Sequence, residues 1–163
     1  MRAVFVMPGV DIAPITEAFV VNASRAQHVL DVIEPAIARG AIVLCDRYSD
    51  ATLAYQGYGR GIDLTTLRTL VAHATGGRCA DLTLLVDIDV ARSRARVASR
   101  ANASGDPIDR LEREDNAFHE RVRAGYLALA KEQSRIHVLD GALEADALLG
   151  LALPLVLSAI DER

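Results

Sequence analysis

The sequence predicts an α/β domain of three layers, in which helices cover both faces of a parallel sheet. Short apolar runs alternate with longer segments whose apolar residues recur at helical spacing, and this alternation is typical of parallel sheets. Apolar runs without a polar face suit strands that are buried on both sides. The predicted strands are Ala3–Met7, Ala41–Cys45, Asp81–Val86 and Ile136–Leu139.

The length of 163 residues predicts a single domain that covers the whole chain. The net charge of −4 provides no general surface for polyanions, so nucleic acid is not expected as a partner. No apolar run approaches the roughly 20 residues that span a bilayer, and Met1–Val10 is too short for a secretory signal. We therefore expect no membrane association. Cys45 and Cys79 lack metal-binding spacing and favour a reduced, cytoplasmic location.

Helices are predicted between and after the strands. Asp63 can cap one of them, because its carboxylate can accept hydrogen bonds from the N–H groups of the first helical turn. Pro35 lacks an N–H group, so we expect it to kink the first helix. The predicted helices are Glu17–Arg39, Leu64–Ala74, an arginine-bearing helix from Arg92, Phe118 to about Gln133, and Leu143–Ile160.

The stretch Asp46–Gly61 directly follows one of the predicted strands. In open α/β sheets, ligands bind outside the carboxyl ends of strands, so Asp46 and Arg47 are expected where a substrate is held. Arg60 adds a second cation, and the two arginines favour recognition of a polyanion. The alternative is that Asp46 and Arg47 form an ordinary surface ion pair.

Positive charge is concentrated between Arg92 and Glu114. Within this segment, the Asn, Ser, Gly and Pro residues of 101–107 predict a mobile loop, because they do not sustain a helix. The arginines on either side of the loop could face a ligand. The alternative is that they pair with neighbouring acidic side chains in a solvated network.

Several motifs at fixed spacing resemble the thymidylate kinase family. Near the centre they are Asp46-Arg47-Tyr48, Ala54-Tyr55-Gln56 and Gly59-Arg60-Gly61, and in the first helix Thr16-Glu17-Ala18 and Arg25-Ala26-Gln27-His28. The resemblance implies the three-layer parallel-sheet fold of P-loop nucleotide kinases. It also implies transfer of the γ-phosphoryl group of ATP to dTMP, with Mg²⁺, to give dTDP. A homodimer formed through the helix Glu17–Arg39 is implied as well.

The resemblance assigns the phosphate end of the site to a few residues. Arg47 would hold the acceptor phosphate and act in catalysis, and Asp46 would lie near the phosphates and the magnesium ion. A lid at about residues 96–112 would supply the catalytic Arg96 and Arg100, which neutralise charge that develops during phosphoryl transfer. Asp109 and Glu112 would complete the substrate-binding residues of the lid.

The base and sugar contacts of the family fall on four other positions. Arg25 and Gln56 would contact thymine, Thr52 would lie near the base, and Tyr55 would lie beside the deoxyribose and disfavour a 2′-hydroxyl group. Two positions depart from the family pattern. Val21 stands where the family has an aromatic side chain that stacks on thymine, with Phe19 falling on a different side of the helix. Ala51 replaces the usual serine, which removes one hydroxyl contact.

Nucleotide kinases of this fold bind the phosphates of ATP with a loop of the pattern GxxxxGK[ST]. This sequence has no such motif, and its one lysine is Lys131. We therefore expect a family member that lacks the N-terminal P-loop unit, through a real deletion or a truncated reading frame, and that is impaired or inactive as a dTMP kinase. The competing hypothesis is a non-catalytic protein that binds dTMP or only dimerises.

Overall fold

The computed structural model describes residues 11–105 and 109–161. It shows a helix-rich α/β chain with a small parallel sheet. The chain divides into two compact units. Of the described residues, the first unit contains 11–79 and 109–125, and the second contains 80–105 and 126–161. The predicted strand Ala3–Met7 lies outside the described residues.

The first unit begins with a long helical segment, as predicted. Helix α1 is Pro14–His28, a π-helical turn covers Val29–Ile33, and helix α2 is Glu34–Ala38. The widened turn directly precedes Pro35, whose missing N–H and bulky ring interrupt regular α-helical hydrogen bonding. Gly40 ends the segment with a φ of 74°, a conformation that glycine adopts without a Cβ clash.

The stretch around Tyr55 is helical rather than an open loop. Helix α3 is Ser49–Thr52, and a π-helical segment, Leu53–Gly59, continues it. Glycine is required at position 59 because a Cβ there would lie 2.7 Å from Cε2 of Phe118. The stretch therefore packs closely against the helix that carries Phe118.

Helix α4, Leu64–Thr75, confirms the predicted cap. The Asp63 carboxylate accepts a hydrogen bond of 2.7 Å from the backbone N–H of Thr66, which satisfies a donor of the first turn. Gly76 ends the helix at a φ of 60°. The start and the stop of this helix were therefore both predictable from local chemistry.

The prediction of a buried strand at Ala41–Cys45 is wrong. These residues form no regular secondary structure, and Leu44 is 87% exposed and Ile42 is 63% exposed. A strand requires a hydrogen-bonded neighbour, and within the described part of the chain the sheet consists of two other strands. An apolar run without an adjacent strand cannot satisfy its backbone groups in a sheet.

The second unit contains that sheet. Strand β1, Thr83–Asp87, pairs in parallel with strand β2, Ile136–Asp140, and Leu85 lies opposite Val138. Both strands confirm predicted apolar runs: β1 starts two residues later and ends one residue later than predicted, and β2 starts at Ile136 as predicted and ends one residue later. The turn after β2 is held by a 2.8 Å hydrogen bond from the Ala142 N–H to Oδ1 of Asp140.

Three further helices precede or follow the two strands along the chain. Helix α5 is Val90–Ser104, helix α6 is Asn116–Glu132, and helix α7 is Ala145–Asp161. The Asp89 carboxylate caps α5 by accepting from the Arg92 N–H at 2.8 Å. The predicted loop at 101–107 is wrong for residues 101–104, because α5 continues through Ser104. Residues 106 and 107 of that prediction lie outside the described residues. The helix ends only at Gly105, which has a φ of 72°.

Helix α7 is apolar and exposed over most of its length. It has no buried residue, and no charged residue occurs between Ala147 and Ile160. Leu149 is 60% exposed and Leu157 is 51% exposed. None of the helices in the described ranges 11–105 and 109–161 is long and apolar enough to cross a membrane.

The first unit has an apolar core on the same side of α1 as its buried polar groups. Leu67 is fully buried and Phe118 is 2% exposed. Their packing fixes α4 and α6 against the Leu53–Gly59 segment. The buried apolar residues of this unit are Ala18, Val29, Ile33, Leu53, Ala54, Leu67, Val71, Leu111, Phe118 and Val122.

Substitution of Gly125 tests this packing. A Cβ built at Gly125 lies 2.5 Å from Cγ of Tyr58, so Gly125→Ala is expected to lower the free energy of unfolding by about 1–3 kcal/mol. Gly150→Ala is the matched control, since Gly150 is also helical and a Cβ there meets no described atom within 4 Å outside its own helix. It should raise stability by about 0.5–1 kcal/mol. Chemical denaturation measures the free energy of unfolding of both variants. An equal change in the two variants would contradict the close packing of Gly125 against Tyr58.

Candidate functional site

Polar side chains are buried where α1 meets the segment Ser49–Gly59. Burying a polar group is costly unless it is hydrogen-bonded, so such a cluster in a small unit needs a specific explanation. The cluster draws on residues from both helical segments. Its members, each at most 8% exposed, are Glu17, Asn22, Arg25, Ser49, Asp50, Thr52 and Gln56.

Glu17 lies at the centre of the buried cluster and is fully buried. Its Oε1 accepts a 2.6 Å hydrogen bond from Nε2 of Gln56. Its Oε2 accepts from Nη2 of Arg60 at 3.2 Å and from Nη2 of Arg110. Arg60 also donates to Oε1 of Glu114 at 2.7 Å. One carboxylate therefore links α1, the Leu53–Gly59 region and the segment that follows residue 108.

The protonation of Glu17 follows from these contacts. Burial raises the pKa of the carboxyl group, but hydrogen bonds from Arg110, Gln56 and Arg60 lower it by more. The net effect is a pKa below the ordinary value of a glutamate. Glu17 is therefore ionised at neutral pH, with its charge balanced by two arginines.

Arg25 is held at the other end of the buried face of α1. Its Nη1 donates to Oδ1 of Asn22 at 2.7 Å, and its Nη2 donates to the backbone oxygen of Tyr48 at 3.0 Å. The guanidinium carbon also lies 5.7 Å from the centroid of the Tyr48 ring. Arg25 is only 8% exposed, so its orientation is set by the fold rather than by solvent.

Arg47 has a backbone conformation that is unusual for its residue type. Its φ is 64°, in the left-handed region, where a side chain costs roughly 1 kcal/mol. Its guanidinium carbon lies 5.0 Å from the centroid of the Tyr55 ring. That ring contacts Phe118 edge to face, with centroids 6.1 Å apart. The Arg47 side chain is exposed, which suits it to meet an anion from solution.

Thr52 and Gln56 lie one turn apart on the helical stretch. Thr52 is fully buried, and its Oγ1 has no hydrogen-bond partner among the described residues. Such an orphaned hydroxyl typically costs about 1–3 kcal/mol. Gln56 is 2% exposed and bonds to Glu17. The structure thus brings Thr52 and Gln56 to the buried face and Arg47 and Tyr55 into contact with each other.

Three other predicted site residues, Asp46, Asp109 and Glu112, lie outside the buried polar cluster. Asp46 is exposed beside Arg47. Asp109 and Glu112 cap one another's backbone, since the Glu112 N–H donates to Oδ1 of Asp109 at 2.7 Å and the Asp109 N–H to Oε2 of Glu112 at 3.2 Å. This local pairing is a structural role that the resemblance did not imply.

The two lid arginines lie on α5 of the second unit. Nη1 of Arg96 donates to the backbone oxygen of Gly141 at 2.9 Å. Arg100 is exposed near the end of the helix. The structure therefore ties Arg96 to the turn after β2, while Arg100 projects from the last turns of α5.

Two aspects of this site were not predicted. Arg60, expected as a second cation for a polyanion, is instead neutralised by Glu17 and Glu114. Glu17 belongs to the family motif Thr16-Glu17-Ala18 and to the predicted helix start, but no role in the site was predicted for it, although it lies at the centre of the cluster. The available signal was helical spacing, because Glu17 shares one face with Ala18, Asn22, Arg25 and Val29. Charged residues on the same face as Ala18 and Val29 indicate buried ion pairs or hydrogen bonds.

In the ranges 11–105 and 109–161, no group of three or more His, Cys, Asp or Glu side chains is placed to hold a metal ion. Cys45 and Cys79 are free thiols. The cluster around Glu17 is built from ion pairs and hydrogen bonds.

Acid is expected to weaken the fold through Glu17. The pKa of Glu17 is lower in the folded chain than in the unfolded chain, where it is about 4.3. The Glu17 carboxylate therefore stabilises the folded chain fully at pH values above about 4.3. This stabilisation is lost as the pH falls through the folded pKa. Glu17→Gln should therefore lower the free energy of unfolding by about 1–3 kcal/mol at neutral pH, and this gap should narrow in acid.

Urea denaturation over a pH series measures the gap between the unchanged chain and Glu17→Gln. Glu120→Gln makes the same change of charge at an exposed position of α6 and should leave the pH profile unaltered. A gap that stays constant from neutral pH to pH 3 would show that the Glu17 carboxylate does not stabilise the folded chain through its charge.

Comparison with known proteins agrees with the motifs. The family model for thymidylate kinase matches residues 1–149. The chain is 52% identical over 134 residues to the thymidylate kinase of Solidesulfovibrio magneticus, covering 80% of this chain and 64% of that protein. It is 48% identical over 149 residues to the thymidylate kinase of Deinococcus radiodurans, covering 91% and 70%.

A third relative gives a similar result. The thymidylate kinase of Geobacter sulfurreducens is 49% identical over 130 residues, which cover 78% of this chain and 61% of that protein. The chain thus spans about two thirds of the length of these curated relatives. The extent of the match and the level of identity place it clearly: the chain belongs to the thymidylate kinase family.

Proposed function

We propose that the first unit holds dTMP, in the acceptor site of the reaction that transfers the γ-phosphoryl group of ATP to dTMP to give dTDP. The observation that carries this proposal is the buried polar cluster between α1 and Ser49–Gly59. Its members at the family's motif positions, Arg25, Thr52 and Gln56, are polar groups held inside the unit. Burying such polar groups lowers the stability of a fold unless they are hydrogen-bonded. A role in binding the nucleotide explains why these three polar residues are buried here.

The phosphate end of the proposed site is Arg47. Its guanidinium group offers paired N–H donors that match phosphate oxygens, and it projects from a strained backbone position. Strain of this kind clusters at functional sites. Asp46 lies beside it and is exposed, as expected of a carboxylate near phosphates and a magnesium ion. Contact with Tyr55 keeps the Arg47 side chain near the position proposed for the sugar.

The base end is formed by Arg25, Gln56 and Thr52. Thymine carries two carbonyl oxygens and one N–H group, so it needs both donors and an acceptor from the protein. Arg25 supplies donors only, and Thr52 can donate or accept. The NH₂ group of Gln56 donates to Glu17, so its carbonyl oxygen is the acceptor that Gln56 offers. Val21 and Ala51 supply neither stacking nor a hydroxyl group. Affinity must then come from the polar contacts, since the aromatic Phe19 is 56% exposed.

ATP and Mg²⁺ are the cofactors that the family implies, but the residues of this chain do not fit the phosphates of ATP. The sequence has no GxxxxGK[ST] loop, and Lys131 lies on α6. Bound ATP would supply the phosphoryl group. We propose that Arg96 and Arg100 are the arginines of the lid and that Asp109 and Glu112 belong to the substrate-binding residues.

The competing proposal is that the chain is non-catalytic and either binds dTMP or only dimerises. The missing phosphate-binding motif favours it. We propose a homodimer formed through the α1–α2 segment, which leaves Phe19, Leu30 and Val32 about half exposed or more. The three-layer fold of P-loop kinases and a cytoplasmic location, which suits the free Cys45 and Cys79, are proposed on the same family grounds.

Calorimetric titration with dTMP tests the proposed binding site. The unchanged chain should bind dTMP, and Arg47→Met should weaken binding by roughly tenfold to a hundredfold, because charge-assisted hydrogen bonds to phosphate are lost. Arg39→Met is the matched control, because Arg39 is exposed and its side chain donates to the Pro35 oxygen within the same helical segment. No binding by the unchanged chain, or equal weakening by both variants, would overturn the proposal.

Measurement of ADP formation separates the two functions. With ATP, Mg²⁺ and dTMP, we expect no ADP formation beyond that seen without dTMP, because a working kinase runs at about 1–100 s⁻¹ through phosphate positioning that the missing loop normally supplies. Sustained dTMP-dependent turnover would show that another segment binds ATP. It would then favour the kinase over the non-catalytic protein.

A further inference from the structure

We propose that Glu17 is a positioning residue that sets the orientation of the Gln56 amide, and that this orientation makes the site prefer thymine to cytosine. The inference rests on the proposed binding of dTMP and deepens it. It assigns the discrimination between two pyrimidine bases to a carboxylate whose two oxygens are already bonded to Gln56, Arg60 and Arg110.

The geometry leaves little freedom at this contact. Nε2 of Gln56 lies 2.6 Å from Oε1 of Glu17, and both side chains are buried, at 2% and 0% exposure. A carboxylate can only accept hydrogen bonds. It therefore requires the NH₂ end of the amide, and the opposite orientation would place two oxygen atoms against each other at this distance.

The carboxylate is itself fixed. Arg60 and Arg110 donate to its second oxygen from two different segments of the first unit. These ion pairs prevent the carboxylate from rotating towards another partner, and its lowered pKa keeps it an acceptor at neutral pH. The Gln56 amide thus packs against a group with a constant position and a constant charge.

Fixing the NH₂ end fixes the carbonyl end. The amide oxygen of Gln56 points away from Glu17, so it is the group left to meet a base. Thymine presents a donor at N3, which a carbonyl oxygen accepts, whereas N3 of cytosine is an acceptor and would face that oxygen with no proton between them. A buried mismatch of this kind is strongly disfavoured. Glu17 would then select the base through Gln56.

Binding of dTMP and dCMP to matched variants tests the selection. The unchanged chain should prefer dTMP, and Glu17→Gln should lower the ratio of dTMP to dCMP affinity by roughly tenfold, because an amide at position 17 accepts either orientation of Gln56. Glu114→Gln removes the same charge from the same cluster, where Glu114 pairs with Arg60, and should keep the ratio. An unchanged ratio in Glu17→Gln, or an equal fall in both variants, would overturn the inference.

A second measurement needs neither a nucleotide nor a variant. In an ¹⁵N-labelled sample, the side-chain amide protons of Gln56 should exchange with solvent at least tenfold more slowly than those of Gln27, whose amide bonds to Asp31 on the exposed side of the helical segment. Equal exchange rates would overturn the positioning role. If the chain binds neither nucleotide, the proposed function fails, and this comparison still decides whether Glu17 holds the amide.

Discussion

The buried carboxylate of Glu17 is the constraint on which the first unit depends. An isolated charge in this position would be prohibitively costly. The fold therefore has to bring Gln56, Arg60 and Arg110 to one point. Because these donors come from segments that are far apart in the sequence, satisfying Glu17 also sets how α1, the Leu53–Gly59 segment and the region after residue 108 pack together.

This arrangement separates two kinds of arginine. Arg60 and Arg110 are neutralised inside the unit and stabilise it. Arg25 is buried, and its guanidinium group donates to Asn22 and to the Tyr48 backbone oxygen. Arg47 is exposed and has a strained backbone. The ion pairs of Glu17 with Arg60 and Arg110 help to fix helix α1, which carries Arg25.

Local chemistry accounts for the parts of the fold that were predictable. The Asp63 cap, the Gly76 stop and the strands at Thr83–Asp87 and Ile136–Asp140 depend on a few neighbouring residues and on an apolar run with a partner. The run Ala41–Cys45 is also apolar, but no strand lies beside it in the described ranges, and an apolar run by itself does not reveal whether a neighbouring strand is present. Likewise, the motifs indicated Arg25, Arg47 and Gln56, whereas the pairing of Arg60 and Arg110 with Glu17 depends on contacts between distant segments.

Hydrogen–deuterium exchange with and without dTMP tests most directly whether the buried cluster is the nucleotide site. We expect slower exchange in two places: the backbone from Tyr48 to Gly59 and the turn of α1 around Arg25. Helix α7, which carries none of the proposed contacts, should be unaffected. Unchanged exchange in the first two segments at saturating dTMP, or protection confined to α7, would show that the buried cluster is not the nucleotide site.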